Sequence, residues 1–218
     1  MKNRYNFSNI TLDELNAIVN IKEINNENIF DEWFNYKVNF KDEDNEKFLN
    51  NLILKHKTKF HHYLEEDIKM KFLAPIFAKI DFENEIVSSW YEWGLKANLN
   101  NITLYGKVDF MLASGIEKPN NPYFFIQEFK KATASKHPIN QLLAEMLVAM
   151  KLNKIDLIRG AYIIGQNWNF VILKRVSEFK YNFFISKSFD SLFLSELKQI
   201  YKNLVYIKEL YIDDKFTK

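Results

Sequence analysis

The stretches GKVDFML (106–112) and YFFIQEFKK (123–131) decide the fold that this sequence predicts. Both are rich in β-branched and aromatic residues and are bounded by Gly, Asn or Pro, a pattern typical of interior β-strands. Each nevertheless carries charge: Asp109 lies in the first, and Glu128 and Lys130 lie in the second. Because alternate residues of a strand share a face, we expect Glu128 and Lys130 to project to the same side.

Charges in such apolar surroundings need compensation. A carboxylate or an ammonium that is removed from water costs several kcal/mol unless it is paired or bound to an ion. Two interpretations of Asp109, Glu128 and Lys130 therefore stand side by side. One is a metal-dependent active site, and the other is a structural ion pair at the end of a strand.

The composition indicates one globular domain, or one domain with an elaborated end. The chain has 218 residues, of which 47% are hydrophobic and 16% aromatic. It contains no Cys, which excludes disulfides, thiolate zinc sites and cysteine nucleophiles. Because no apolar run reaches the length of a membrane span and the N-terminus lacks the apolar core of a signal peptide, we expect a cytoplasmic protein without membrane contact.

The charge balance does not by itself indicate nucleic acid. The formal net charge is +2, from 30 basic and 28 acidic residues, which is too small for a strong field. Basic residues do cluster over 55–59, 69–71 and 130–136. Each cluster is interpreted either as a solvated face or as a surface that binds phosphates.

The front of the chain is predicted to be helical. Thr11 to Glu14 form a capping box, which predicts a short helix ending at about Ile21. Apolar residues at helical spacing predict further helices over 26–34 and 42–55. We assign residues 1–55 to an N-terminal helical extension packed on the core, and residues 56–218 to the main domain.

The next predicted helix, over 60–80, carries an acid on its apolar side. At 3.6 residues per turn, Glu65 falls inside the buried stripe of this helix. It is either an acid close to a metal or the partner of Lys69, one turn later. Pro75 is expected to kink the helix.

The rest of the chain alternates between strands and helices. Three successive strands with short connections, including a turn at 120–122, predict an antiparallel meander over 88–97, 102–112 and 123–131. A mostly apolar helix over 137–153 follows, with Gln141 and Glu145 one turn apart. Further strands and a final helix are predicted over 161–164, 169–174, 181–185 and 191–206. This order indicates an α/β fold, an α/β/α sandwich on a mixed central sheet.

This order of elements and charges resembles the PD-(D/E)xK nuclease superfamily, which has the restriction-endonuclease-like fold. Asp109 in GKVDFML matches the first acid of the superfamily, and Glu128 and Lys130 in IQEFKK match its (D/E)xK pair. Val108 stands where the motif usually has proline. The likeness covers about residues 60–174.

Two flanking helices add to the resemblance. The segment LEEDIKMKFLAPIF (64–77) looks like the first helix of the nuclease domain in type I restriction-enzyme motor subunits, so that Glu65 corresponds to the helical acid. In INQLLAEM (139–146), Gln141 corresponds to an often-present glutamine, and Glu145 is a weaker candidate for the same site.

The resemblance implies a site for Mg²⁺ or Mn²⁺, to which carboxylate oxygens are suited ligands. The implied metal ligands are Asp109, Glu128, the backbone carbonyl of Phe129, and Glu65. Lys130 would orient the attacking water and stabilise charge on the phosphate. The candidate catalytic residues are Asp109, Glu128, Lys130, Glu65 and Gln141, the last to position the lysine or a phosphate.

The implied activity is that of a bacterial metal-dependent endonuclease. It would hydrolyse phosphodiester bonds, with DNA as the expected substrate, in restriction, repair or mobile-element biology. Because the chain has no Gly-rich phosphate loop and no helicase motor, any motor or recognition subunit is expected to be a separate chain. The alternative is a catalytically inactive nuclease-fold module that binds nucleic acid or a protein partner.

Overall fold

A computed structural model of the protein describes residues 3–37, 42–130 and 137–212. Its helices are α1 (Leu12–Ile18), α2 (Asp31–Phe34), α3 (Asp42–His56), α4 (Glu65–Ile68), α5 (Ala74–Ile80), α6 (Ile139–Asn153) and α7 (Leu194–Tyr211). Its strands are β1 (Arg4–Asn6), β2 (Asn20–Glu23), β3 (Val87–Leu99), β4 (Ile102–Ser114), β5 (Asn120–Lys130), β6 (Leu157–Ile164), β7 (Asn167–Ser177), β8 (Lys180–Ile185) and β9 (Phe189–Asp190). Within these ranges, none of the helices combines the length and apolarity that crossing a membrane requires.

The strands form one mixed sheet in the order β1-β4-β5-β6-β7-β8-β2, with β3 paired to β4 and β9 paired to β7. The predicted meander is confirmed, because β3, β4 and β5 pair antiparallel in succession. Strands β5 and β6 run parallel, so the chain must cross over between them, and α6 forms that crossover.

Helices cover both faces of this sheet. Apolar residues of α3, α5 and α7 pack on one face, which includes Phe110, Phe129 and Phe170. Residues of α1 and α6 pack on the other face, which includes Val108 and Ile126. The predicted mixed α/β architecture with a mixed central sheet is therefore confirmed, while the restriction-endonuclease-like fold stays a prediction.

The N-terminal segment differs from the helical extension that the sequence predicts. The capping box is present, with Thr11 Oγ1 accepting from Glu14 N–H at 3.2 Å, but α1 already ends at Ile18. Strand β2 follows and pairs with β8 at one end of the sheet order, and β1 pairs with β4 at the other. Strands this short carry too little periodicity to be predicted. The division at residue 55 stays a prediction, although the sheet draws strands from both sides of it.

The predicted helix over 60–80 is interrupted. A 3₁₀ turn at Phe60–His62 ends in extended backbone at Tyr63 and Leu64, so the helix begins only at Glu65. Leu64, an apolar residue of the predicted helix 60–80, lies in this extended backbone and is exposed. Between α4 and α5 the backbone forms a π-helical segment, Lys69–Leu73. Pro75 follows it in the first turn of α5, where its missing N–H and its ring are accommodated.

The turn expected at 120–122 lies earlier in the chain. Strand β5 already begins at Asn120, and residues 115–119 make the connection from β4. Gly115 adopts a φ of 109°, and a Cβ there would lie 2.1 Å from the backbone oxygen of Lys118. Glycine is therefore required at this position, and it marks the turn more reliably than the Asn-Asn-Pro sequence does.

Candidate active site

The candidate site lies where β4 and β5 stop pairing with each other. Their antiparallel register ends at the pair Phe110–Gln127. Next to this end, Asp109 Oδ2 accepts a hydrogen bond from Phe129 N–H at 2.8 Å. Where the backbone hydrogen bonds between β4 and β5 end, the Asp109 carboxylate thus accepts the next backbone N–H. This bond fixes the position of Asp109 between the diverging strands.

An irregularity in the sheet places a second acid beside Asp109. The register of β3 with β4 pairs the residues on either side of Glu92 and Asp109 but skips these two. Glu92 has a φ of 51°, and Val108 and Met111, three residues apart, share one face of the sheet. Strand alternation is therefore broken here. Burial and the nearby charge of Asp109 raise the pKa of Glu92.

Lys69 lies at the centre of a group of carboxylates. Its Nζ is 3.1 Å from Asp109 Oδ1, 3.2 Å from Glu65 Oε1, 3.6 Å from Glu66 Oε1 and 3.7 Å from Glu92 Oε1. Burial opposes its charge, but the charges and hydrogen bonds of Asp109 and Glu65 raise its pKa above the usual value. Glu65 thus pairs with Lys69 and, through it, lies next to Asp109.

The Glu128 carboxyl is fully buried on the α6 side of β5. Lys130 Nζ donates to Glu128 Oε1 at 2.6 Å, whereas Glu128 Oε2 has no hydrogen-bond partner among the described residues. Burial and the charge of Asp109 raise the pKa of Glu128 to about 8, against the opposing effect of Lys130. This buried oxygen therefore needs either a cation or a proton shared with the neighbouring carboxyl groups of Asp109 and Glu145.

Gln141 and Glu145 are arranged differently from the expectation. Gln141 Nε2 donates to Glu145 Oε1 at 3.0 Å, one helical turn away, so Gln141 holds Glu145 rather than Lys130. Glu145 is fully buried, and burial together with the charge of Glu128 raises its pKa well above the usual value. Its Oε2 likewise has no partner in the part of the chain that the structure describes.

These residues offer the oxygen ligands that a hard divalent cation prefers. They are nevertheless not close enough together to form a metal-binding group. Over residues 3–37, 42–130 and 137–212, no set of three Asp, Glu or His side chains is close enough to hold a metal ion. The unpartnered oxygens of Glu128 and Glu145 are nevertheless hard ligands that a cation would satisfy. At Asp109 and Glu65, a metal would compete with the ammonium of Lys69.

Phe129 contributes its backbone in an unexpected way. The resemblance implied its carbonyl as a metal ligand, and the structure shows its N–H bound to Asp109. The N–H therefore holds a candidate ligand in place. The role of the carbonyl stays a prediction.

A cavity of about 600 Å³ opens beside Asp109, between the helix of residues 65–80 and strands β3, β4 and β5. Most of its wall is apolar or aromatic, and its polar edge is formed by a few charged and amide groups. The lining residues are Glu66, Lys69, Met70, Leu73, Ala74, Phe77, Tyr91, Glu92, Asp109, Phe110, Gln127 and Phe129. The candidate site therefore has room for part of a substrate.

Sequence reasoning missed Lys69 and Glu92. A glutamate between two aromatic residues of a strand, Tyr91-Glu92-Trp93, is a signal of the same kind as Asp109 and would have pointed to Glu92. The sequence predicts Lys69 as a partner of Glu65 or as a member of the basic cluster 69–71, and neither interpretation places it at Asp109. Its contact with Asp109 joins residues 40 apart in the chain, and no local pattern reveals it.

The three basic clusters that the sequence contains differ in their surroundings. In the first, Lys55, Lys57 and Lys59 are exposed at the end of α3. In the second, Lys69 is part of the carboxylate group, so that cluster is not simply a solvated face. The third lies outside the described residues beyond Lys130.

Comparison with known proteins adds no assignment. No protein-family model matches the chain, and a search of curated proteins found no match.

Proposed function

We propose that this protein is a metal-dependent nuclease of the PD-(D/E)xK type, which hydrolyses phosphodiester bonds of DNA in restriction, repair or mobile-element biology. The observation that carries the proposal is the arrangement at the divergence of β4 and β5. There Asp109 is anchored by Phe129 N–H, and Glu128, paired with Lys130, keeps a buried oxygen without a partner. The pair with Lys130 leaves this oxygen unsatisfied, and a bound cation would satisfy it.

Each residue then has a role that its contacts support. Asp109 and Glu128, with Glu65 and the Phe129 carbonyl, would hold Mg²⁺ or Mn²⁺. When bound, the metal would polarise the phosphodiester and acidify a nearby water. Lys130 is about a quarter exposed while Glu128 fixes its ammonium, so it can donate to a phosphate or orient a water.

Gln141 and Glu145 are proposed to support the residues that bind the metal and the phosphate. Gln141 fixes Glu145 through the bond between their side chains, and Glu145 lies where its charge acts on Glu128. We infer that this pair positions Glu128 rather than contacting substrate. The proposed setting is the cytoplasm, with any motor or recognition subunit on a separate chain.

A second candidate function is a catalytically inactive module with a nuclease-like fold, which binds nucleic acid or a protein partner. The observation that favours it is Lys69, whose ammonium already lies among Asp109, Glu65, Glu66 and Glu92, at the place where a cation would bind these carboxylates. A lysine that permanently replaces the metal would leave a stable fold without catalysis.

The two candidates are separated by a cleavage assay with plasmid and linear DNA in Mg²⁺ and Mn²⁺. We expect the wild-type protein to cut DNA, and Asp109→Asn and Lys130→Met to lose the activity. Lys118→Met is the matched control, because Lys118 is exposed in the turn between β4 and β5. Undiminished cleavage by both site variants would refute the assignment. Wild-type protein that neither cuts DNA nor binds Mn²⁺ in calorimetry would support the inactive module.

A further inference from the structure

The cavity beside Asp109 has an aromatic wall that the hydrolysis of a phosphodiester does not require. The rings of Tyr91 and Phe110 lie 5.3 Å apart, and those of Phe110 and Phe77 stack at 4.7 Å. The Tyr91 side chain is 55% exposed at one end of this row, whereas Phe110 is buried. An entering group could therefore reach Tyr91 and stack against its ring.

The polar edge of the cavity is mainly a set of hydrogen-bond acceptors, because the carboxylates of Glu66, Glu92 and Asp109 outnumber the single ammonium of Lys69 that they face. Gln127 lines the cavity at 2% exposure, and its Oε1 has no hydrogen-bond partner among the described residues. Glu66 and Glu92 add carboxylates at the rim. A phosphate would be unfavourable beside these groups, whereas a neutral group with N–H donors would satisfy them.

We propose that this cavity takes one unstacked nucleobase of a single-stranded nucleic acid whose adjoining phosphodiester lies at Asp109. A nucleobase is neutral and planar, and its edge carries N–H donors for Gln127 and the rim carboxylates. A volume of about 600 Å³ is in the range of small-ligand sites. The inference rests on the proposed nuclease function and gives it a substrate class.

Single strands are favoured because a base in a duplex is already stacked and paired. Moving it into the cavity from a duplex costs several kcal/mol of unpairing and unstacking, whereas an unpaired base avoids most of that cost. Stacking on an aromatic side chain is also tolerant of sequence, since every base has a π-face. The protein is therefore expected to act on single-stranded or locally unpaired nucleic acid.

The test is a binding cycle that does not depend on cleavage. A short single-stranded DNA and a set of copies, each with one abasic position, are titrated with the full chain in Ca²⁺, using fluorescence anisotropy. We expect one position at which loss of the base weakens wild-type binding by about 5- to 100-fold. Tyr91→Ala should bind the intact and abasic strands equally, and Tyr91→Phe should restore the difference.

Phe193→Ala is the matched control, because Phe193 is 57% exposed and does not line the cavity. Strand binding without an effect of any abasic position would overturn the base site and leave the nuclease proposal standing. An abasic effect that survives Tyr91→Ala would place the base elsewhere and also overturn it. Failure to bind any strand, together with failure to cut DNA, would overturn both.

Discussion

The ammonium of Lys69 lies 3.1 Å from Oδ1 of Asp109 and 3.2 Å from Oε1 of Glu65, so one lysine links an acid of the sheet to an acid of the neighbouring helix. It supplies positive charge at the carboxylates that are proposed to bind a metal. The lysine and a divalent cation are therefore competitors for Asp109, since both neutralise the same oxygens.

Lys69→Met tests this competition. Without the ammonium, we expect Mn²⁺ to bind more tightly, while the free energy of unfolding of the metal-free protein falls by about 1–3 kcal/mol because Oδ1 of Asp109 loses its partner. Calorimetric titration and urea denaturation measure the two effects. Lys71→Met is the control, because the ion pair of Lys71 with Asp67, at 2.7 Å, lies at the surface and is worth little. A folded Lys69→Met protein with unchanged Mn²⁺ affinity would contradict the competition.

Much of the fold could be predicted because its central elements are long and regular. The meander of β3, β4 and β5 and the helix α6 follow from alternation and helical spacing alone. The strands β1 and β2 could not be predicted, since segments of three and four residues have no measurable period. Their pairing partners lie far away in sequence and are set by the completed sheet.

The site was predictable only where a charge interrupts an apolar pattern. Asp109 and Glu128 were found in this way, and Glu92 carries the same signal. The geometry around them was not predictable, because it depends on defects in regular structure: the skipped register at Glu92 and the π-helical segment that carries Lys69. Such defects are tertiary features, and they recur at functional sites.

Asp109 is expected to contribute to stability as well as to chemistry. Asp109→Ala leaves the buried Phe129 N–H without its acceptor, which costs about 1–3 kcal/mol, whereas Asp109→Asn keeps an oxygen in the same place. Both substitutions remove the charge and the oxygen that Lys69 contacts, so the main difference between them is the bond to the backbone. We expect the alanine variant to unfold at lower urea concentration than the asparagine variant in metal-free buffer. Coincident unfolding curves would show that the bond contributes nothing.

Glu92 is held in a left-handed backbone conformation that costs energy. Its φ is 51°, and glycine relieves that strain, so Glu92→Gly should stabilise the protein by about 1 kcal/mol relative to Glu92→Gln, which removes only the charge. Thermal unfolding measures the difference. Asn101→Gly, at a φ of 64°, should gain much less because asparagine tolerates this region. Equal gains at both positions would argue against strain at Glu92.

A buried histidine makes stability depend on pH away from the site. His56 is 5% exposed, and its Nδ1 lies 2.8 Å from the Tyr63 hydroxyl. Burial lowers its pKa, and three lysine charges act in the same direction, those of Lys55, Lys71 and Lys59. The folded state therefore binds a proton less readily than the unfolded state. The contribution of neutral His56 is present above the unfolded pKa, about 6.5, and is lost as the pH falls below it.

His56→Gln should remove this dependence. We expect the free energy of unfolding of the wild type, measured relative to the variant, to decrease from about pH 7 to about pH 5, because only the wild-type unfolded chain gains this proton. Urea denaturation at a series of pH values gives that difference directly. The carboxylates of the candidate site are present in both proteins, so their effect on stability cancels in the difference. His61→Gln, at an exposed position, is the matched control for the substitution itself. If the free energies of unfolding of the wild type and of His56→Gln changed in parallel with pH, His56 would be protonated as readily in the folded state as in the unfolded one.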